Sequence, residues 1–150
     1  CIMTEEQVTK AILNHLVKNC WKIICFDFPQ SGTGKYIHPN VSCSKNLDAI
    51  IPDIVACKNN ICLFFENKNR YYYNDFVKIN NLITQNDYSD EISELLKDYD
   101  IEQTYYGIGF PISSFKTPAI KNSHLVDFIL GVNPNFSIQF CINTHNILIE

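Results

Sequence analysis

No run of apolar residues in this chain approaches the ~18 that a membrane-crossing helix needs, so no bilayer span is expected. The opening residues, Cys-Ile-Met-Thr-Glu-Glu, carry neither a basic nor an apolar segment. No secretory leader is expected from them, and the cytoplasm is the expected compartment. Cysteines number seven, an odd count without a C-x-x-C pair. Most lie inside apolar runs such as Trp21–Cys25 and Phe140–Ile142, which predicts buried free thiols in a reducing compartment. The four histidines (15, 38, 124 and 145) show no metal-ligand spacing. The run Gly32-Thr33-Gly34-Lys35 lacks the first glycine of a phosphate-binding loop and is followed by Tyr36 instead of Ser or Thr, which removes nucleotide hydrolysis. Positive charge is scarce: the formal net charge is −4, and Arg70 is the one arginine, hence the one candidate for bidentate reading of guanine.

What remains is the composition of a folded protein. With 46% hydrophobic and 19% charged residues over 150 positions, the chain reads as a single domain, residues 1–150, without repeat or linker. Thr4 followed by Gln7 is a capping box, and Val8, Ala11, Ile12 and Leu16 form one stripe of a helix running to about Asn19. Trp21–Phe28 reads as a strand stopped by Pro29. A long irregular stretch follows from Pro29 to about Asn46, and its length favours a functional loop. Further on, Asn74 is expected to cap a short helix, Asp87–Tyr99 reads as another, and Glu102–Phe110 as a strand. Val126–Val132 and Phe136–Ile142 flank the turn Asn133-Pro134-Asn135 as an extra C-terminal hairpin, with Ile147–Ile149 as a last edge strand.

The chain is organised around Ile50–Lys68. Two apolar runs flank Lys58-Asn59-Asn60, a polar cluster suited to a tight β-turn. With Asn59-Asn60 at the tip, Lys58 faces Ile61, Cys57 faces Cys62 and Asp53 faces Glu66, while the period of two keeps Lys68 on the face of Glu66. Opposed residues lie about 4.5–5.5 Å apart, and like charges so placed repel unless compensated. A divalent cation would compensate them, and Lys68 would do so in part as a plain salt bridge. The facing Cys57 and Cys62 are also placed for a disulfide or a soft metal. Both hairpin faces are apolar, which predicts an α/β fold with a central sheet covered by helices on both sides.

Pro52-Asp53, twelve further residues, then Glu66-Asn67-Lys68 resembles the signature of the PD-(D/E)XK nuclease superfamily, over about 25 residues and the order of elements around them. The resemblance implies a restriction-endonuclease-like αβββαβ core with a mixed sheet. It also implies a Mg²⁺ site, with Mn²⁺ as substitute, built from Asp53, Glu66, the carbonyl of Asn67 and a first-helix carboxylate, for which Glu5 fits better than Glu6. Asp53, Glu66 and Lys68 would be the catalytic set, Lys68 orienting the attacking water or stabilising charge. An ammonium between carboxylates has a raised pKa, which makes the electrostatic role the safer assignment.

The activity so implied is Mg²⁺-dependent hydrolysis of DNA phosphodiesters, by a type II restriction endonuclease or the cleavage module of a defence system. A repair or recombination nuclease acting on branched DNA, and an inactive module binding nucleic acid or protein, are the alternatives. Arg70, Tyr71, Lys78 and Lys35 are the candidate DNA contacts, although the tyrosines after Arg70 serve equally as packing at the sheet edge. A chain this short would recognise DNA through a homodimer or a separate recognition subunit.

Overall fold

The computed structural model describes residues 2–27 and 50–149. Helix α1 (Glu5–Lys18) begins at Thr4, whose Oγ1 accepts from the Gln7 N–H at 3.1 Å while Gln7 Oε1 accepts from the Thr4 N–H at 2.9 Å. Two amide donors at the helix start are thereby satisfied reciprocally. The stripe of Val8, Ala11, Ile12 and Leu16 is buried, together with Thr9.

Strand β1 (Lys22–Phe26) precedes the hairpin of β2 (Ile54–Lys58) and β3 (Ile61–Asn67). Asn59 and Asn60 both take positive φ (52° and 68°), the two left-handed positions that a two-residue turn requires and that asparagine tolerates. The pairing runs from Lys58↔Ile61 through Cys57↔Cys62 to Ile54↔Phe65, as the polar tip predicts. Both cysteines are free thiols, and burial raises the pKa of each.

Helices α2 (Tyr73–Thr84) and α3 (Ser89–Leu96) cross over to β4 (Gln103–Pro111), which runs parallel to β3. A second crossover, holding the short helix α4 (Thr117–Lys121), leads to β5 (Phe128–Val132), parallel to β4 and antiparallel to β6 (Ile138–Asn143). Among the described residues the result is an α/β fold with one mixed, open, six-stranded sheet in the order β1-β2-β3-β4-β5-β6. The C-terminal hairpin is joined to the main sheet through β5. On one face, α1 packs on Ile54, Ala56, Leu63, Phe65, Phe128 and Leu130. On the other, Phe76 and Ile79 of α2 meet Ile108, Phe110 and Ile129, and Leu96 of α3 meets Val55 and Phe64. No helix among the described residues is long and apolar enough to cross a membrane.

Three local expectations are corrected. Helix α2 starts at Tyr73 with Tyr72 at the N-cap position, so Asn74 lies in the first turn and does not cap it. The last turn before β6 takes up Phe136 in a left-handed conformation (φ 66°), and the strand starts two residues later than the sequence suggests. Ile147–Ile149 is not a strand. The Asn143 side chain accepts from Ile147 N–H at 2.8 Å and donates to Ile147 C=O at 2.9 Å, standing in for the sheet neighbour while Ile147 and Ile149 enter the α1 core.

Candidate active site

Asp53 and Glu66 lie within electrostatic reach of one another where the β2–β3 hairpin opens. The regular pairing ends at Ile54↔Phe65; one residue earlier the Asp53 N–H donates to the Phe65 carbonyl at 2.9 Å, and the Asp53 carbonyl accepts from the Asp27 N–H at 2.9 Å. Both carboxylate residues are buried, Asp53 to 8% exposure and Glu66 to 7%, and Asn67 is fully buried.

Their partners differ. Asp53 Oδ2 accepts the Asn67 backbone N–H at 2.6 Å. Glu66 is gripped from two sides by ammonium groups, Lys78 Nζ at 3.2 Å from Oε2 and Lys68 Nζ at 3.7 Å from Oε1. Lys68 is fixed through its own N–H, which donates to the Gly109 carbonyl at 2.9 Å and so extends the β3–β4 pairing. Its position thus follows from the alternation of β3, whereas that of Lys78 follows from α2 packing over the same face.

Asn67 points the other way, toward α1. Its Nδ2 donates to Thr9 Oγ1 at 3.2 Å, and its Oδ1 is buried without a partner against Gly109. A side chain at position 109 would collide with that oxygen and with Ile12 Cδ1, so the glycine is what lets β4 approach α1 and Asn67 together.

The electrostatics follow from burial and crowding. Burial, then the charge of Glu66, pushes the Asp53 carboxyl up to about 8, against the opposing pull of the Asn67 N–H. Glu5 is also raised, first by burial and then by Glu66 and Asp27, with Lys68 and Lys78 opposing. Glu6 instead pairs with Lys10 at 3.0 Å on the exposed side of α1, so the first-helix carboxylate facing the site is Glu5. For Lys68, burial favours the neutral amine, but Glu66, Asp75, Glu5 and Asp53 together outweigh it and raise the pKa.

Asp75 is the group that the sequence reading passed over. It lies in the first turn of α2, its Oδ2 is buried without a hydrogen-bond partner, and burial raises its pKa while Lys68 and Lys78 lower it. The available signal was its place one helical turn before Lys78, which puts both over the same patch of sheet.

The candidate DNA contacts separate. Lys78 is committed to Glu66. Arg70 is exposed, its guanidinium 4.9 Å from the Tyr72 ring centre and its Nε donating to Tyr72 Oη at 2.9 Å; Lys68 Nζ lies 5.9 Å from the same ring. Tyr71 packs on Phe76, and its hydroxyl accepts from Asn122 Nδ2, an anchoring role at the sheet edge. Lys35 lies outside the described residues, as does the whole long stretch from Pro29 to Asn46.

All the site's potential ligands are hard oxygens, the donor type that Mg²⁺ takes. Two buried carboxylates, one of them held protonated first by burial and then by the charge of the other, are the electrostatic setting that a divalent cation reverses, and in that sense the residues fit. The set is not a ready-made cage: among the described residues no three Asp, Glu, His or Cys side chains converge as a metal site. Comparison of the chain with family models, with curated proteins and with solved structures finds no match.

Proposed function

We propose that this chain is a metal-dependent nuclease that hydrolyses DNA phosphodiesters, on a PD-(D/E)XK-like core. The observation that carries the reading is that Asp53 and Glu66 lie within electrostatic reach at the open end of one hairpin, with Lys68 Nζ 3.7 Å from Glu66. The order of α1, three antiparallel strands, a helical crossover and a parallel strand supports it. Restriction or defence-system cleavage is the leading version, and action on branched DNA the next.

Asp53, Glu66, the Asn67 carbonyl and Glu5 would hold Mg²⁺ or Mn²⁺. When bound, the ion supplies Lewis acidity to the phosphate and an activated water. The chain's own groups prepare the rest. The Asn67 N–H fixes one oxygen of Asp53. Lys68 keeps its proton beside Glu66, Asp75, Glu5 and Asp53, which favours stabilising charge on the phosphoryl oxygens over acting as a general base. Arg70, exposed beside it, would meet the DNA backbone.

One observation favours a second reading. Both oxygens of Glu66 already have ammonium partners, so the carboxylate is satisfied without an ion, as it would be in a module that binds nucleic acid or protein without cutting. Incubation with supercoiled plasmid in Mg²⁺, Mn²⁺ or EDTA decides between them. Metal-dependent nicking or linearisation that vanishes in Asp53→Asn supports the nuclease; intact plasmid in every metal supports the binding module.

A further inference from the structure

A cavity of about 450 Å³ opens at the carboxyl ends of the three parallel strands β3, β4 and β5. That end of a sheet is the usual place for ligands in open α/β folds, and the volume lies within the range of small-molecule pockets. Its walls share elements with the acidic site: Asn69 follows Lys68 directly, Gln7 lies two residues past Glu5 on α1, and Ser113 belongs to the turn that continues β4. Gln7, Asn69 and Ser113 supply amide and hydroxyl groups, Val132 and Pro134 supply apolar surface, and none of the lining residues among those described is ionisable.

Phe136 stands at the lip of this cavity. It is half exposed, belongs to none of the core clusters, and holds a φ of 66° at the position of the β5–β6 turn where glycine or asparagine is usual. The turn is closed around it by Phe136 N–H to Asn133 C=O and Asn133 N–H to Ser137 C=O, both 2.8 Å. Burial therefore does not account for an aromatic ring at this strained site.

Charge is distributed in a complementary way. Lys68 and Arg70 flank Asn69 in the chain, their charged groups held at Glu66 and Tyr72, so two cations stand one residue away from an uncharged, partly polar, partly aromatic cavity. A nucleotide divides in the same manner, into an anionic phosphate and a neutral flat heterocycle with hydrogen-bonding edges.

We propose that the cavity receives an unpaired nucleobase, stacked on Phe136 and hydrogen-bonded by Gln7, Asn69 or Ser113, while the adjoining phosphate lies at Lys68 and Arg70. The proposal rests on the nucleic-acid reading above and deepens it, because it names strands carrying at least one unpaired base as the substrate class. Base stacking on aromatic rings tolerates any sequence, in keeping with a cavity whose described lining has no charged group to read one base edge.

The test measures binding of a fluorescein-labelled single-stranded 20-mer, the matching blunt duplex and an abasic strand of equal length, in EDTA so that nothing is cut. Wild-type protein is expected to prefer the single strand to both the duplex and the abasic strand. Phe136→Asn keeps a residue that tolerates the left-handed backbone, so it is expected to fold; it should lose roughly 5- to 100-fold in affinity for the single strand. Phe136→Tyr should restore most of that loss, which a purely structural role for position 136 would not require.

Equal affinity of Phe136→Asn and wild type for the single strand overturns the proposal, even if plasmid cleavage establishes the nuclease. Equal binding of the abasic and normal strands overturns it as well. A wild-type dimer that dissociates in Phe136→Asn without a change in DNA binding assigns the cavity to a second copy of the chain and overturns it. Ring-dependent single-strand binding by a protein that never cleaves leaves the proposal standing and removes the nuclease reading instead.

Discussion

Replacing Asp53 by alanine strips the Asn67 N–H of its acceptor, whereas replacing Glu66 removes the carboxylate that Lys68 and Lys78 share. Asp53→Asn avoids the first problem, since an amide oxygen can still accept from Asn67. It is expected to fold at least as stably as wild type and to abolish metal-dependent cleavage; a variant that still cuts would remove Asp53 from the site. Lys68→Ala should lower the cleavage rate by roughly 10²–10³, the usual effect of deleting one preorganised charge, with a much smaller change in DNA affinity. Loss of binding in place of rate would make Lys68 a phosphate anchor. Glu5→Ala should reduce activity while Glu6→Ala, whose partner is the exposed Lys10, leaves it unchanged. Kinetics showing the reverse order would place Glu6 in the site. Asp53, Glu66 and Lys68 were legible because strand periodicity and one turn fix their register. Asp75 and the Asn67–Thr9 contact were not, because they depend on how α2 and α1 come down on the sheet, and no local pattern encodes that docking.

At the level of elements, sequence was most informative where a local chemical requirement is strict. The capping box of Thr4 and Gln7 and the two left-handed asparagines at the hairpin tip each leave few alternatives, and the elements they bound start where expected. It failed where a side chain replaces backbone pairing. Asn143 clamps Ile147, so an apolar alternation that reads as a strand becomes a packed coil end. It also misjudged a turn that places an aromatic residue where left-handed backbone is needed. The helix-to-sheet docking behind the site can be probed at Gly109, where any side chain meets Asn67 and Ile12. Gly109→Ala is expected to destabilise by about 1–3 kcal/mol, as overpacking does, and to lower activity by shifting Asn67 and with it the N–H that holds Asp53. Denaturation midpoints equal to wild type would show that β4 and α1 have more room between them than the contact implies.

For the whole molecule, the proposed metal site is expected to make stability depend on pH and on divalent cations together. Asp53 has a folded pKa of about 8 against an unfolded value of 3.8, raised by burial and by Glu66. Glu5 and Asp75 are displaced in the same direction. A carboxyl raised in this way contributes fully below its unfolded pKa, where both states are protonated, and the contribution is lost as pH climbs through the folded value. Lys68 stays protonated throughout that window, so it does not offset the trend. In EDTA the melting temperature attributable to this site should therefore fall from about pH 4 to about pH 8, and Asp53→Asn should flatten the profile. An ion that binds only the folded chain adds stability as RT ln(1 + [L]/Kd), and its ligands must be deprotonated. Added Mg²⁺ should then raise the melting temperature more at pH 8 than at pH 5, opposite to the slope in chelator, with no such rise in Asp53→Asn. A profile in EDTA that climbs from pH 5 to pH 8, or a Mg²⁺ effect of equal size at both ends and in the variant, would show that the buried pair at the mouth of the hairpin is not where the cation acts.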